Sequence, residues 1–180
     1  MRWKRFPYHR GSPRGTRTAE DFSAIDANFG LFLPGDYKLL INTHGDGQWQ
    51  EFWYLLNPFS RNENLNLLRQ ASRSETSGSD ILSAERFIRD RHPYPHPIWP
   101  EARGIFPWAV TDNGGRFFWL IDGAPEDWPT IYYPSRDPEF RKLESSTAAI
   151  IAGLLSGELP LFEEEFGGET PSPTFEPLVL

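Results

Sequence analysis

Apolar residues recur three or four positions apart in several segments of the 180-residue chain, which is the spacing of one face of an α-helix. The first such segment runs from Thr18 to Phe29. Thr18 can cap its start, because Asp21 stands three residues later as in a capping box, and Gly30 can end it. Further helices are predicted over 64–72, 81–91 and 147–155, the last with Gly157 as its stop.

A second helix is predicted directly after Pro34. Proline suits a first helical position, because its φ is right and the N–H that it lacks would be unpaired there. One apolar stripe along this helix is formed by Tyr37, Leu40 and Ile41, and the glycine-rich run at 44–47 ends the pattern.

Aromatic and β-branched residues predict strands over 49–56, 106–111, 116–121 and 130–133. The middle two strands are joined by Asp112 to Gly115, whose Asn-Gly step predicts a type I′ turn. Along 49–56, alternation would place Trp49 and Trp53 on one face of the strand and aromatic residues on the other as well. A helix or a partner must therefore cover each face of the sheet. The polar run 72–79 predicts a loop, and the prolines of 92–100 an extended or turned segment.

This order of helices, strands and a last helix predicts a single α+β domain rather than an alternating α/β protein.

Charge divides the chain into three parts. Residues 1–17 carry six cations and no acid, 158–180 carry six acids and no base, and 18–157 carry 12 basic and 19 acidic residues. We predict a flexible basic arm over 1–17, the domain over 18–157, and an acidic, proline-rich tail over 158–180 that is either loose or docked.

The net charge of −7 bears on the choice of partner. An acidic body argues against nucleic-acid binding, which needs cations to displace phosphate counterions, and it suits a basic partner. Plain solubility is the alternative reading of the same charge. The basic arm can bind nucleic acid or an acidic surface, or can fold back on the acidic tail. The chain has no cysteine and no apolar run of membrane-spanning length, so we expect a cytoplasmic protein without membrane contact.

Candidate chemistry is sparse. His92 and His96 stand four apart, but the prolines between them forbid the helix that would put both on one metal, and no HExxH glutamate is present. The chain has no G-x-S-x-G elbow and no phosphate-binding GxxxxGK[ST] loop. Most aspartates stand beside Gly, Asn or Pro, where aspartate favours turns. We therefore predict no catalytic residue, no metal and no cofactor, and expect that the protein is not an enzyme.

Several motifs together resemble the SMI1/KNR4 (SUKH) superfamily. The stretch Leu33-Pro34-Gly35-Asp36-Tyr37-Lys38 with Asn42-Thr43-His44-Gly45 resembles the family's "LP-x-x-Y-…-NGG" opening. The segment 106–115 resembles its Trp-Pro-containing hairpin, with Ala109 in place of the usual glycine. The segments 118–119 and 128–131 resemble the strands that follow, and 147–155 falls where the family has its closing helix. The resemblance spans about 20–157.

The resemblance implies an antiparallel β-sheet flanked by N-terminal helices and a C-terminal helix. It also implies a non-enzymatic protein-binding role, most often as an immunity protein that neutralises a bacterial polymorphic toxin of the nuclease type. The alternative is an intracellular regulatory or scaffold protein of the same fold. For either role we expect a protein partner, a basic toxin domain for the first. The predicted partner-binding residues are Asp46, Trp49, Asp112, Asp122, Glu126, Asp127 and Trp128.

Overall fold

The computed structural model of the chain describes residues 18–76, 96–135, 139–163 and 166–178, with 72–76 described in backbone only. Its helices are α1 Ala19–Phe29, α2 Gly35–His44, α3 Leu67–Thr76 and α4 Thr147–Ser156, with a 3-10 turn at Pro125–Asp127. Its strands are β1 Gly47–Trp49, β2 Trp53–Leu55, β3 Ile105–Thr111, β4 Arg116–Leu120, β5 Thr130–Tyr133, β6 Arg141–Leu143 and β7 Phe175–Pro177. They form one sheet in the order β6-β5-β4-β3-β2-β1-β7, with every neighbouring pair antiparallel. The predicted α+β class is confirmed.

Both ends of α1 match the sequence prediction. The Thr18 hydroxyl accepts the backbone N–H of Asp21 (3.2 Å), and the Asp21 carboxylate accepts the backbone N–H of Thr18 (2.8 Å), which is a complete capping box. Gly30 closes the helix in the left-handed region at φ 64°. The predicted arm at 1–17 lies outside the described residues.

The helix α2 begins at Gly35, directly after Pro34 as predicted, and Pro34 is its N-cap rather than its first helical residue. Pro34 is the residue before the helix, with an extended ψ of 141°. The predicted apolar stripe is confirmed, since Tyr37 and Ile41 are buried and Leu40 packs against the core. The Lys38 ammonium donates to the buried carboxylate of Asp26 (2.6 Å), which ties α2 to α1.

The strand predicted over 49–56 is confirmed only for its second half, as β2, because Trp49 ends β1 and the two strands form a hairpin. Gln50 and Glu51 turn the chain with positive φ values of 50° and 54°. The turn is held by Gln50, whose side chain donates to the carbonyls of Leu154 (3.1 Å) and Pro171 (3.2 Å) and accepts the indole N–H of Trp53 (3.0 Å). Leu154 and Pro171 lie far away in sequence, and the bond to Trp53 forms only once the chain turns. The local sequence pattern therefore could not predict this turn.

The turn between β3 and β4 also differs from its prediction. A type I′ turn needs positive φ at two central residues, but in the loop Asp112–Gly115 only Gly114 has one (94°). The backbone N–H of Gly114 donates to the carbonyl of Thr111 (3.1 Å), and the N–H of Thr111 donates to the carbonyl of Gly115 (2.9 Å). The loop is therefore the longer hairpin connection that ends in a left-handed glycine.

Other boundaries shift for similar reasons. The helix predicted over 64–72 starts at Leu67 and runs to Thr76, through part of the predicted loop 72–79. The helix predicted over 81–91 and residues 92–95 lie outside the described residues. The strands β6 and β7 were not predicted. The acidic tail supplies β7, which pairs with β1, so this part of the tail is docked.

The two faces of the sheet have different environments. One face packs against all four described helices and carries the main core, where Trp53, Trp108 and Trp119 are fully buried. The opposite face, called here the outer face, carries a smaller buried apolar cluster of Ile105, Phe118, Leu120 and Ile131. Among the described residues, no helix is long and apolar enough to cross a membrane.

Candidate functional site

Two of the predicted partner-binding residues, Trp49 and Trp128, lie in the core, each 4% exposed. Trp49 pairs across the hairpin with Trp53, and the two rings stack at 5.4 Å. Trp128 packs on Trp119 at 6.1 Å, and its indole N–H donates to the carbonyl of Gly123 (3.2 Å). Both tryptophans serve packing in this structure, and neither presents a surface anchor to a partner.

The side chain of Asp46 faces inward as well. One carboxylate oxygen accepts the side-chain amide of Asn57 (2.6 Å), and the other accepts the hydroxyl of Ser60 (2.8 Å). The backbone carbonyl of Asp46 accepts the N–H of Leu178 from the tail (3.0 Å). Asp46 therefore joins the β1 entry, the segment after β2 and the tail, and both of its carboxylate oxygens are occupied.

Asp112 borders a mostly polar row of side chains on the outer face. The register aligns one outer-face residue on each of six strands, and most of these side chains are half-buried. Asp112 lies at the edge of this row, where its carboxylate accepts the amide of Gln48 (3.1 Å) and a hydrogen bond from Tyr54. Burial, then the hydrogen bond and charge of Asp112, raise the pKa of Tyr54 to about 12. The row consists of Glu176, Gln48, Tyr54, Val110, Arg116 and Tyr133.

The remaining three acids lie together in the loop between β4 and β5. Asp122 follows β4 closely, and Glu126 and Asp127 form the 3-10 turn. We call these three residues the acidic loop. All three are exposed, and among the described ion pairs only Asp122 has a partner, the exposed Arg103 at 2.8 Å. An exposed pair of this kind contributes about 0–1 kcal/mol, so it does little to hold Asp122 in place.

The acidic loop and Asp112 lie at opposite ends of the sheet. Asp112 follows the end of β3, while Asp122 follows the end of the antiparallel neighbour β4. The seven-residue β3 separates them by roughly 20 Å. The structure thus brings together Asp122, Glu126 and Asp127 and separates them from Asp112, Asp46 and the two tryptophans.

The acidic loop contacts the start of α2. A Cβ placed on Gly35 would lie 3.9 Å from the Oε1 atom of Glu126. Close by, the Asp36 carboxylate accepts the backbone N–H groups of Tyr37 (2.7 Å) and Ala148 (2.8 Å), which joins the starts of α2 and α4. The 3-10 turn of the loop thus lies next to the start of α2, on the helical side of the domain. No local motif links position 35 to position 126, so this neighbourhood could not be predicted from the sequence pattern.

Two exposed apolar residues near the start of α2 were also not predicted from the sequence. In the described part of the chain, the large hydrophobic side chains that are exposed are Phe32 (72%) and Leu39 (67%). Phe32 lies in the connection between α1 and α2, and Leu39 lies on α2 outside its buried stripe. The available signal was weak: Leu39 stands two residues from Tyr37 and from Ile41, on the other side of the helix.

These features define an α+β protein with a seven-stranded antiparallel sheet, helices over one face and an exposed acidic loop at one end. Residues 19–149 match the model of the SMI1-KNR4 cell-wall family (SUKH_6). The match covers most of the chain, and the protein belongs to this family. No curated protein and no solved structure matched the chain.

The residues that carried the family resemblance have mainly structural roles. Tyr37 is fully buried, and its hydroxyl donates to the carbonyl of Leu56. Burial, with a smaller effect of the Asp46 charge, raises the pKa of this hydroxyl well above its ordinary value. The indole N–H of Trp108 donates to Thr130 (3.2 Å), and that of Trp119 donates to Thr147 (2.9 Å). The motif residues therefore build the core.

Proposed function

We propose that this chain is a non-enzymatic, cytoplasmic immunity protein that binds and neutralises a basic toxin domain of the nuclease type. Membership of the SMI1-KNR4 family supports a protein-binding role. The observation that carries the proposal is the acidic loop, where the fold gathers three exposed carboxylates at one end of the sheet. A nuclease that binds phosphate backbones presents cations, and an acidic surface is complementary to them.

Within the acidic loop, Glu126 and Asp127 are the residues that we propose to contact the partner. Asp122 is already close to a cation, Arg103. Among the described residues, no ion pair includes Glu126 or Asp127, so their charges are available to an incoming partner. Binding would then need complementary charge and a few desolvated contacts, and no covalent chemistry.

Partner capture followed by a rescue assay tests the proposal. The tagged chain is used to capture proteins from the cells that make it, and each captured basic protein is then expressed alone and with the chain. We expect one of them to stop growth alone and to be harmless with the wild-type chain. The double variant Glu126→Gln/Asp127→Asn should weaken both capture and rescue.

The matched control is the double variant Glu51→Gln/Asp112→Asn. It changes the net charge by the same amount, and both residues are exposed at the opposite end of the sheet. It should capture and rescue like the wild type. Equal loss in both variants would show that only net charge matters. Capture of a harmless partner through the acidic loop would instead favour the regulatory or scaffold role, and the toxin-neutralising proposal would be wrong.

A further inference from the structure

The helix α2 has one side that the domain leaves uncovered. Tyr37 and Ile41 face the core, whereas Gly35, Leu39 and Thr43 are exposed. These three residues are four apart, so they form a single stripe along the solvent side of the helix. Leu39, 67% exposed, is the large apolar member of this stripe.

A second apolar side chain lies near the start of the same helix. Phe32 is 72% exposed and precedes Gly35 by three residues, so the two Cα atoms are at most about 10 Å apart. Leu39 lies one helical turn beyond Gly35, about 6 Å along the axis. Phe32 and Leu39, called here the anchor pair, therefore stand on either side of Gly35 along the chain, each with its Cα atom within about 10 Å of it. Side chains of this size gain nothing for folding while they remain in water.

Gly35, which the anchor pair flanks along the chain, is where the acidic loop meets α2. The Glu126 carboxylate lies beside Gly35, at 3.9 Å from a Cβ placed there. Because Gly35 has no side chain, it leaves the space between Glu126 and the stripe of α2 uncovered. The surface consequently combines two exposed apolar groups with the exposed carboxylates of Glu126 and Asp127.

We propose that the anchor pair is the apolar centre of the partner interface and that the acidic loop is part of its charged rim. The occupant that fits is a basic protein domain that presents an apolar group surrounded by lysine and arginine side chains. Protein interfaces commonly have an apolar, fully buried centre surrounded by a polar and charged rim. A few large side chains at the centre carry most of the binding free energy. The inference rests on the proposed function, since it uses the same basic partner and adds the residues that hold it.

The two parts of the interface have different kinetic signatures. Rim charges mainly set the association rate, because they steer the encounter, and buried anchors mainly set the dissociation rate. With the basic protein identified by capture and rescue as the probe, Phe32→Ala and Leu39→Ala should each speed dissociation at least about tenfold and leave association nearly unchanged. Glu126→Gln/Asp127→Asn should mainly slow association. Val110→Ala, which trims a half-exposed apolar residue on the outer face, is the control and should change neither rate.

A fluorescent label gives a second reading that does not depend on a loss of binding. The chain has no cysteine, so Leu39→Cys and Ala152→Cys can each carry one environment-sensitive dye. Ala152 is exposed on α4 and serves as the control site. Addition of the same basic protein, at a concentration that saturates both labelled chains despite the weaker binding expected without Leu39, should shift the emission of the dye at position 39 to the blue and leave that at position 152 unchanged.

The outcomes separate the two proposals. If the acidic-loop variant binds the partner more weakly while the anchor variants bind normally and the dye at position 39 does not respond, this inference is wrong and the proposed function stands. If no captured basic protein depends on Glu126 and Asp127, the proposed function fails, and this inference falls with it.

Discussion

At the scale of single residues, the aspartates divide according to whether the fold supplies donors for their oxygens. Asp26 accepts the ammonium of Lys38 and the backbone N–H of Leu33 (3.0 Å), and Asp46 is satisfied in the same way by side-chain donors. Such carboxylates hold segments of the chain together. The acidic loop has exposed carboxylates instead. Asp46 and Asp122 both stand next to a glycine in the sequence, and only the fold distinguishes their roles.

Tyr54 gives a prediction about pH. Its pKa is raised to about 12 because burial and Asp112 both disfavour the phenolate. The folded state thus holds this proton more tightly than the unfolded state, whose pKa is about 10. The resulting contribution to stability is complete below pH about 10 and is lost as the pH rises through about 12. Replacement Asp112→Asn removes the charge, so the pKa of Tyr54 should fall towards 10 without reaching it.

The measurement is a pH titration of the tyrosine ring carbons by NMR, with Tyr54→Phe to assign the signal. Glu176→Gln, which changes the acid within the polar row, is the control and should leave the pKa of Tyr54 near 12. A pKa near 10 in the wild type, or one that does not change in Asp112→Asn, would contradict the described contact between Tyr54 and Asp112.

At the scale of elements, the sequence predicted those whose stabilising contacts are local. The helix α1, with its capping box and terminal glycine, and β5 within its flanking turns were placed nearly residue for residue. The β1–β2 hairpin was missed because Gln50 depends on Leu154 and Pro171, about a hundred residues away. The strand β7 was missed because its pattern is too short to predict a strand and its partner is distant.

The residues of the candidate site also divide into those that their sequence neighbours predict and those that depend on distant contacts. The acids of the β4–β5 loop could be predicted as surface turn residues from their neighbours in the sequence. Their separation from Asp112 depends on the antiparallel register, and the burial of Trp49 and Trp128 depends on packing. The exposure of Phe32 and Leu39 depends on which side of α2 the rest of the fold covers. None of these can be read from spacing alone.

The docking of β7 gives a prediction at this scale. A Cβ on Gly47 would lie 2.2 Å from ring atoms of Phe175 and 2.9 Å from the backbone carbonyl of Glu176. The replacement Gly47→Ala must therefore displace the paired strand, and we expect a loss of about 1–3 kcal/mol in the free energy of unfolding. The amide of Gln50, which donates to the carbonyl of Thr174 (2.8 Å), should also exchange faster with solvent.

Urea unfolding and hydrogen exchange provide the two readouts for this variant. Gly35→Ala is the matched control, since its nearest contact is an ordinary 3.9 Å and alanine is a better helix former than glycine. It should be at least as stable as the wild type. If Gly47→Ala matched Gly35→Ala in stability and kept the Gln50 amide protected, the pairing of β7 with β1 would be wrong.

At the scale of the whole molecule, charge and apolar exposure coincide at one end of the domain. The acidic loop lies beside the start of α2 at Gly35, and the anchor pair stands on either side of Gly35 along the chain. The other end of the sheet also carries acids, Glu51 and Asp112, but Asp112 is engaged by Gln48 and Tyr54. The central claim is therefore that the end with the acidic loop, rather than net charge alone, receives a basic partner.

The salt dependence of the association rate tests this claim most directly. The rate constant for the captured basic protein is measured by stopped flow from about 0.02 M to about 0.5 M ionic strength, a range over which screening shortens electrostatic reach severalfold. We predict a fall of roughly tenfold or more for the wild type, since steered association weakens steeply with salt. The Glu126→Gln/Asp127→Asn variant should start lower and change less, and Glu51→Gln/Asp112→Asn should follow the wild type. An association rate constant that does not depend on ionic strength would contradict the claim. So would an equal change in the salt dependence of the two variants.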